Sequence, residues 1–193
     1  MSGETPAAVA AQSIRRLTIA VVDARSRRAA NPDVSTLIEN LADRLEAVAR
    51  DPADCVGGME PTLHEPLERS PVSGSMNPVA APVRFETAAD GSRRSTVTFG
   101  PQYQGPPRFL HGGVTALVLD VAMAGATVVA GHPGVTAEMT IHYRRPVPVR
   151  EAVTIRGRHI RSEGRKSWAE GTIEVDGEVA VACEGLFIER RAK

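Results

Sequence analysis

The stretch Gln104-Gly-Pro-Pro-Arg-Phe-Leu-His111-Gly112-Gly113-Val-Thr-Ala-Leu-Val-Leu-Asp120 decides how this chain is read. From Phe109 to Ala137, histidine aside, Asp120 is the only charged side chain. A carboxylate in so apolar a helix is costly to bury, so its presence needs a reason. The adjacent glycines at the helix start leave backbone N–H groups open to a ligand and allow close approach. Negative charge developing on a carbonyl oxygen can be held there, and the helix dipole adds to the effect.

The neighbours of Asp120 one helical turn away are Ala116, Leu117, Met123 and Ala124. The small ones leave room beside the carboxylate. Burial disfavours its ionised form, and a poorly solvated base can activate water or attack directly. The competing reading is a structural acid bonded to a threonine or a backbone amide; the glycines nearby tilt the balance toward chemistry. His111 reads equally well as a helix cap and as a group that orients the loop or bonds to substrate. Nine residues of helix make roughly 2.5 turns and about 13 Å, which puts His111 and Asp120 on opposite faces. A site using both therefore takes them from different subunits, so the spacing predicts a dimer with shared sites.

Working outward, Gly131 and Pro133-Gly134 end the helix near Ala130. Four strands are expected at 135–145, 152–162, 167–175 and 179–189, with Asp176-Gly177 as a hairpin turn. Upstream, Val79 to Thr87 alternates like a strand, Asp90-Gly91 reads as a turn, and Ser95 to Phe99 returns. The order β-β-α-β-β-β-β gives an α+β fold, a curved antiparallel sheet wrapped around a central helix: the hotdog architecture. Because that helix is apolar almost all round, it should be enclosed. In a regular strand Thr136, His142 and Arg144 face one way, where Thr136 could hold a water for Asp120. Residues 144–166 carry eight Lys or Arg against Glu151 and Glu163. The turn Glu163-Gly-Arg165-Lys166 points two cations outward, suited to the phosphates of an extended ligand. The competing reading is a solvated, charge-decorated strand pair.

The 193 residues, 42% hydrophobic, suffice for one ordinary domain with a real core. We place it at 71–193, behind a helical extension and linker at 1–70. Thr5-Pro6 starts one helix, with Val9, Ile14, Leu17 and Val21 near one face. Asn31-Pro32-Asp33 breaks it, and a second helix runs from about Ser35 to Arg50. Residues 51–82 are a Pro- and Gly-rich connection. Twenty-three basic and twenty-three acidic residues cancel, which counts against nucleic acid as the main partner. The apolar run Val114 to Ala130 is interrupted by Asp120 and short for a bilayer, so no membrane span is expected. The N-terminus lacks a compact apolar signal core; arginine-rich and acid-poor through Arg28, it has the look of a mitochondrial transit peptide too, but is read as an ordinary amphipathic helix. Cys55 and Cys183 make no disulfide framework, and a cytoplasmic location is the expectation. There is no G-x-S-x-G elbow, phosphate loop or dinucleotide fingerprint. His64, His132 and His159 have no metal-ligand spacing with the cysteines. Trp168 is assigned to the core.

Four motifs, in order, resemble the PaaI-like hotdog acyl-CoA thioesterases over about residues 78–189. They are the quoted stretch through His111-Gly-Gly, Asp120, Tyr143-Arg-Arg-Pro-Val-Pro148 and Glu163-Gly-Arg-Lys166. The similarity is greatest to the subgroup that includes a human mitochondrial acyl-CoA thioesterase. The resemblance implies hydrolysis of acyl-CoA by a homodimer or dimer of dimers, with no metal or redox cofactor. It implies Asp120 as base or nucleophile, Thr136 as orienter of water or carboxylate, and Gly112 or Gly113 as oxyanion donor. It also implies CoA contacts from His142, Arg144, Arg165 and Lys166, although a subgroup member carries asparagine at the position of His142. Two alternatives stay open. One is a non-catalytic acyl-CoA-binding or regulatory protein. The other is a hotdog dehydratase, which pairs a histidine with a carboxylate, whereas no second histidine adjoins Asp120 in sequence.

Overall fold

The structure is a computed structural model that describes residues 6–26, 32–46 and 70–190. Cys55, His64 and the expected linker up to residue 69 lie outside the described residues. Helices α1 (Pro6–Ser26) and α2 (Pro32–Glu46) precede strands β1 (Glu86–Thr87) and β2 (Arg93–Thr98). A 3₁₀ turn at Pro101–Tyr103 leads to α3 (Gly112–Val129). Then come β3 (Val135–Tyr143), β4 (Ala152–Glu163), β5 (Lys166–Val175) and β6 (Glu178–Ile188). The strands form one antiparallel sheet in the order β1-β2-β4-β5-β6-β3, the hotdog arrangement expected.

Local chemistry sets the element ends. Asp176 and Gly177 have φ of +52° and +79°, the paired left-handed conformations of a two-residue hairpin turn. Asp90 Oδ1 accepts from Ser92 N at 3.0 Å and from Ser92 Oγ at 2.6 Å, closing the β1–β2 turn. Gly131, at φ +82°, ends α3 as Gly131 N donates to Val128 O (3.0 Å) and His132 N to Thr127 O (2.8 Å). The first strand is shorter than expected. Residues Val79 to Phe85 do send Ala81 and Val83 inward, but Pro82 has no N–H and Arg84 N donates to the Ser95 hydroxyl at 3.1 Å instead of a ladder carbonyl. Only Glu86–Thr87 pairs.

Helix α3 crosses the sheet over β4 and β5 and buries Val118, Leu119, Ala122, Met123 and Ala126. Phe99, Val153, Ile155, Ile173, Val181 and Phe187 complete the core. The approach is closest at Gly157, where a Cβ would collide with the Ala122 carbonyl and lie 2.9 Å from Met123 N. Gly171 and Gly185 widen the same floor: a Cβ there would lie 3.2 Å and 3.1 Å from the Met123 side chain.

Three expectations are corrected. Within one chain α3 is covered on one side only: Leu117, Val128 and Val129 are exposed, and Val114, Val121 and Ala124 half-covered. Its apolar circumference has two faces to satisfy, and a single sheet satisfies one. Trp168 is not in the core but on the outer face, with the Arg161 guanidinium 3.5 Å from its ring centroid. On α1 Ala11 is buried and Ile14, Arg15, Leu17 and Ile19 are half-buried, while Val9 and Val21, expected beside Ile14 and Leu17, are exposed. Arg15 Nη2 donates to the carbonyls of Gly74, Ser75 and Asn77, and Asp23 pairs with Arg150 at 2.7 Å, so α1 is tied to the body beside the 3₁₀ turn. Among the described helices only α3 is long and apolar enough to cross a bilayer; here it is the core helix.

Because backbone opposes backbone at Gly157, Gly157→Ala has no side chain to displace. We expect it to cost about 3 kcal/mol of unfolding free energy, the upper part of the overpacking range. Urea titration checks this, and an unchanged midpoint would mean that α3 can lift without loss.

Candidate active site

Strand β3 holds α3 at two places, and a bulge makes both possible. The register with β6 steps from Thr136↔Phe187 to Glu138↔Leu186, leaving Ala137 as the extra residue. Directly opposed residues share a face, so Thr136 sides with the buried Phe187 toward the helix. Beyond the bulge Met139, Ile141 and Tyr143 take that face, opposite Gly185, Cys183 and Val181. His142, opposite Ala182, points to the outer surface. The expectation that Thr136 and His142 face one way is therefore wrong: one inserted residue inverts the parity.

The first contact is Thr136 Oγ1 donating to Asp120 Oδ1 at 2.6 Å. A carboxylate is acceptor-only, so this bond fixes one oxygen and leaves Oδ2 available. Asp120 is half-buried rather than buried, because it lies toward the uncovered side of α3. Cys183, a buried free thiol on the helix-facing side of β6, lies within its field. Burial pushes this thiol up to about 11, and the charges of Asp120 and then Glu184 add to the rise.

The second contact is at the start of α3. Tyr143 Oη donates to Gly112 O at 2.9 Å. Burial, and then Cys183, raises the Tyr143 phenol above its usual range, which favours the protonated donor. His111 is the N-cap: its Nδ1 accepts from Gly113 N at 3.0 Å. His111 N donates to Tyr103 O at 2.9 Å, and its backbone passes so close to Gly105 that a Cβ there would sit 3.0 Å from the His111 Cα. The cap engages the Gly113 amide. Of the two glycine N–H groups proposed as oxyanion donors, that of Gly112 is the one with no partner among the described residues. Tyr143 went unnoticed as a site residue in the sequence. Its signals were its place at the end of an apolar row, Met139, Ile141, Tyr143, and at the head of the Tyr143-Arg-Arg-Pro-Val-Pro148 motif.

Helix α3 is regular from Gly112 to Val129, so the ~13 Å offset between His111 and Asp120 holds, and among the described residues no side-chain hydrogen bond joins the two motifs. The basic stretch is largely engaged. Arg145 pairs with Glu178, Arg150 with Asp23, Arg156 with Glu174, Arg158 with Glu170 and Arg161 with Glu163. Arg165 folds back onto the Glu189 carbonyl at 2.7 Å and 3.1 Å, so the turn does not present two free cations together. The side chains of Arg144 and Lys166 make no ion pair or hydrogen bond among the described residues. His142 and Arg144 line an open groove of about 810 Å³ on the outer face with Glu170, Thr172 and Glu184. Lys166 lies opposite Ile188 and His142 opposite Ala182, six positions apart on β6 or about 20 Å. One chain therefore does not gather the four candidate CoA contacts. Among the described residues no cluster of three or more His, Cys, Asp or Glu could hold a metal.

The sequence profile of the thioesterase superfamily matches residues 108–181. A crystal structure described as a thioesterase superfamily protein is 33% identical, superposes with a TM-score of 0.80, and is covered over 92% of its length and 97% of this chain. This chain belongs to the thioesterase superfamily. Acyl-coenzyme A thioesterase THEM4 of Bos taurus is 36% identical over 92 residues, 47% of this chain and 38% of the bovine protein. The chain thus spans about two fifths of the length of the curated relatives it matches. The E. coli PaaI protein from the phenylacetic acid degradation operon shares the superfamily fold at 18% identity, with a TM-score of 0.52 over 56% of this chain and 83% of its own.

The buried thiol yields a pH prediction. Its folded value of about 11 lies above the ordinary 9.0, so folding favours the protonated form. The contribution is complete below about pH 9 and disappears as pH rises through about 11. Urea midpoints of the protein should fall more steeply over that interval than those of Cys183→Ala; parallel curves would refute the assignment.

Proposed function

We propose that this superfamily member hydrolyses acyl-CoA thioesters to free acid and CoA. The observation that carries the reading is the Thr136–Asp120 hydrogen bond on the uncovered side of α3. It holds one carboxylate oxygen and leaves the other free beside Ala116 and Ala124, where a small reactant has room. Asp120 acts either as general base on water or as nucleophile. In the first route it accepts a proton from water, whose oxygen bonds to the thioester carbonyl carbon. In the second, Oδ2 itself bonds to that carbon, and water then cleaves the mixed anhydride. Either route passes through an oxyanion, which the Gly112 N–H at a helix N-terminus is suited to stabilise. The C–S bond breaks and CoA leaves as thiolate; in the first route it takes the proton held by Asp120, and in the second the water that cleaves the anhydride supplies the proton and returns the Asp120 carboxylate. The similarity to THEM4, named as an acyl-coenzyme A thioesterase, supports the substrate class.

The offset between Gly112 and Asp120 makes the site incomplete in one chain, so we propose a homodimer with shared sites. Exposed Leu117 and Val128 on α3, and Val135 and Tyr143 on the sheet-edge strand β3, offer the apolar surface that a second copy would cover. Two such dimers could associate further. His142, Arg144 and Lys166 are the CoA contacts we retain. The ~20 Å between Lys166 and His142 suits different segments of an extended ligand, or different subunits.

Asp120→Asn keeps the side-chain shape but cannot take a proton. It should lower kcat on a short acyl-CoA at least ~100-fold while the thermal melt stays in place. Near-normal kcat would reject Asp120 as the base or nucleophile. Re-annealing this variant with an inactive Gly113→Leu variant should restore activity, since one site of each heterodimer then lacks both lesions. No recovery despite proven heterodimers would mean that the two motifs act within one chain.

Lys166→Ala tests the phosphate contact without untying the Arg165–Glu189 bond. KM for acyl-CoA should rise about fivefold and lose part of its salt dependence. KM for an acyl-pantetheine should not move; an equal rise on both substrates would place Lys166 outside CoA recognition.

A further inference from the structure

Tyr143 has so far been given a role only as exposed surface on β3, yet its hydroxyl reaches the Gly112–Gly113 peptide at the N-terminus of α3. Gly112 C=O and Gly113 N–H are the two ends of a single amide. The carbonyl accepts from Tyr143 Oη at 2.9 Å, and the N–H donates to His111 Nδ1 at 3.0 Å. The three groups form one chain, phenol to amide to imidazole, in which each bond polarises the next. A neutral imidazole that accepts at Nδ1 carries its proton on Nε2. His111 is exposed, and its Nε2 has no partner among the described residues. The ring is thus held in the tautomer that offers a donor N–H next to the unpartnered Gly112 amide.

We infer that Tyr143 is a positioning residue for carbonyl recognition. It orients the Gly112–Gly113 peptide, and through it selects the Nε2–H form of His111. The inference rests on the thioesterase reading for its effect on turnover. Two further observations separate this role from core packing. Tyr143 is 55% exposed, so it contributes little to the core of the chain. A Cβ at Gly112 would lie 3.5 Å from the Tyr143 hydroxyl and 3.7 Å from its ring, so the ring sits directly over the glycine it holds. The bulge at Ala137 is what turns Tyr143 to this face, seven positions after Thr136, where a regular strand would send the two to opposite sides.

The test is Tyr143→Phe, which removes only the hydroxyl. Expected is a kcat about tenfold lower with KM within twofold, short of the 100- to 1000-fold loss of a direct oxyanion donor. The thermal melt should hold. In ¹H–¹⁵N spectra of the full chain the Gly113 amide proton should move upfield, and the His111 ring nitrogens should shift toward a tautomer mixture. A normal kcat with an unmoved Gly113 amide overturns the inference. So does a lowered melt with unmoved His111 nitrogens, which would mark Tyr143 as structural. If the wild-type protein hydrolyses no acyl-CoA, the thioesterase reading falls, and the Gly113 and His111 shifts alone decide whether Tyr143 sets the ring.

Discussion

The Ala122 carbonyl of α3 occupies the space that a side chain at Gly157 would fill. Backbone against backbone, with no flexible atom between, is the tightest way to seat a helix on a sheet. Much else depends on this seat. It brings Met123 over Gly171 and Gly185, and it sets the depth at which Val118 and Leu119 enter the core with Ile155, Ile173 and Val181. It also fixes how Asp120 and Gly112 are presented to β3, because a helix that cannot rise from the sheet cannot change those distances much.

The bulge at Ala137 is the second constraint. From one strand it sends Thr136 to Asp120 and Tyr143 to Gly112, and so pins α3 near its middle and at its N-terminus. Both chemically interesting parts of the helix are thereby held by the same edge strand. That strand is nearly bare in the single chain, as is the far side of α3. The pinned groups thus lie beside the uncovered apolar face on which the proposed second subunit would sit.

The outer face of the sheet follows a different logic. Its cations form a lattice with carboxylates on neighbouring strands, such as Arg156–Glu174 at 2.9 Å and Arg158–Glu170 at 3.1 Å. Exposed pairs of this kind are worth little in stability. They do cancel the excess of positive charge that residues 144–166 suggest when read alone, and they leave Arg144 and Lys166 as the cations most open to an anionic ligand. Partners such as Asp23, Glu170, Glu174 and Glu178 lie outside that stretch, so the compensation is invisible along it.

The order of elements was legible because each signal is local. Gly131 and Asp176-Gly177 supply left-handed backbone where the chain must turn, and alternation in β4 to β6 marks two-sided strands. Asp120 and the His-Gly-Gly stretch stood out for the same reason: a charge in an apolar helix and paired glycines at its start are oddities of composition that need no partner to be seen. The facing of Thr136 and His142 was not legible, because an extra residue in β3 declares itself only against the register of β6. The hold of Tyr143 on Gly112, the return of Arg165 to Glu189 and the outward position of Trp168 likewise belong to contacts between segments distant in sequence. By itself, the chain's sequence determined which residues are chemically unusual and which elements carry them. The tertiary structure alone decided which face each one takes, since parity, register and close approach are properties of strands and helices in pairs.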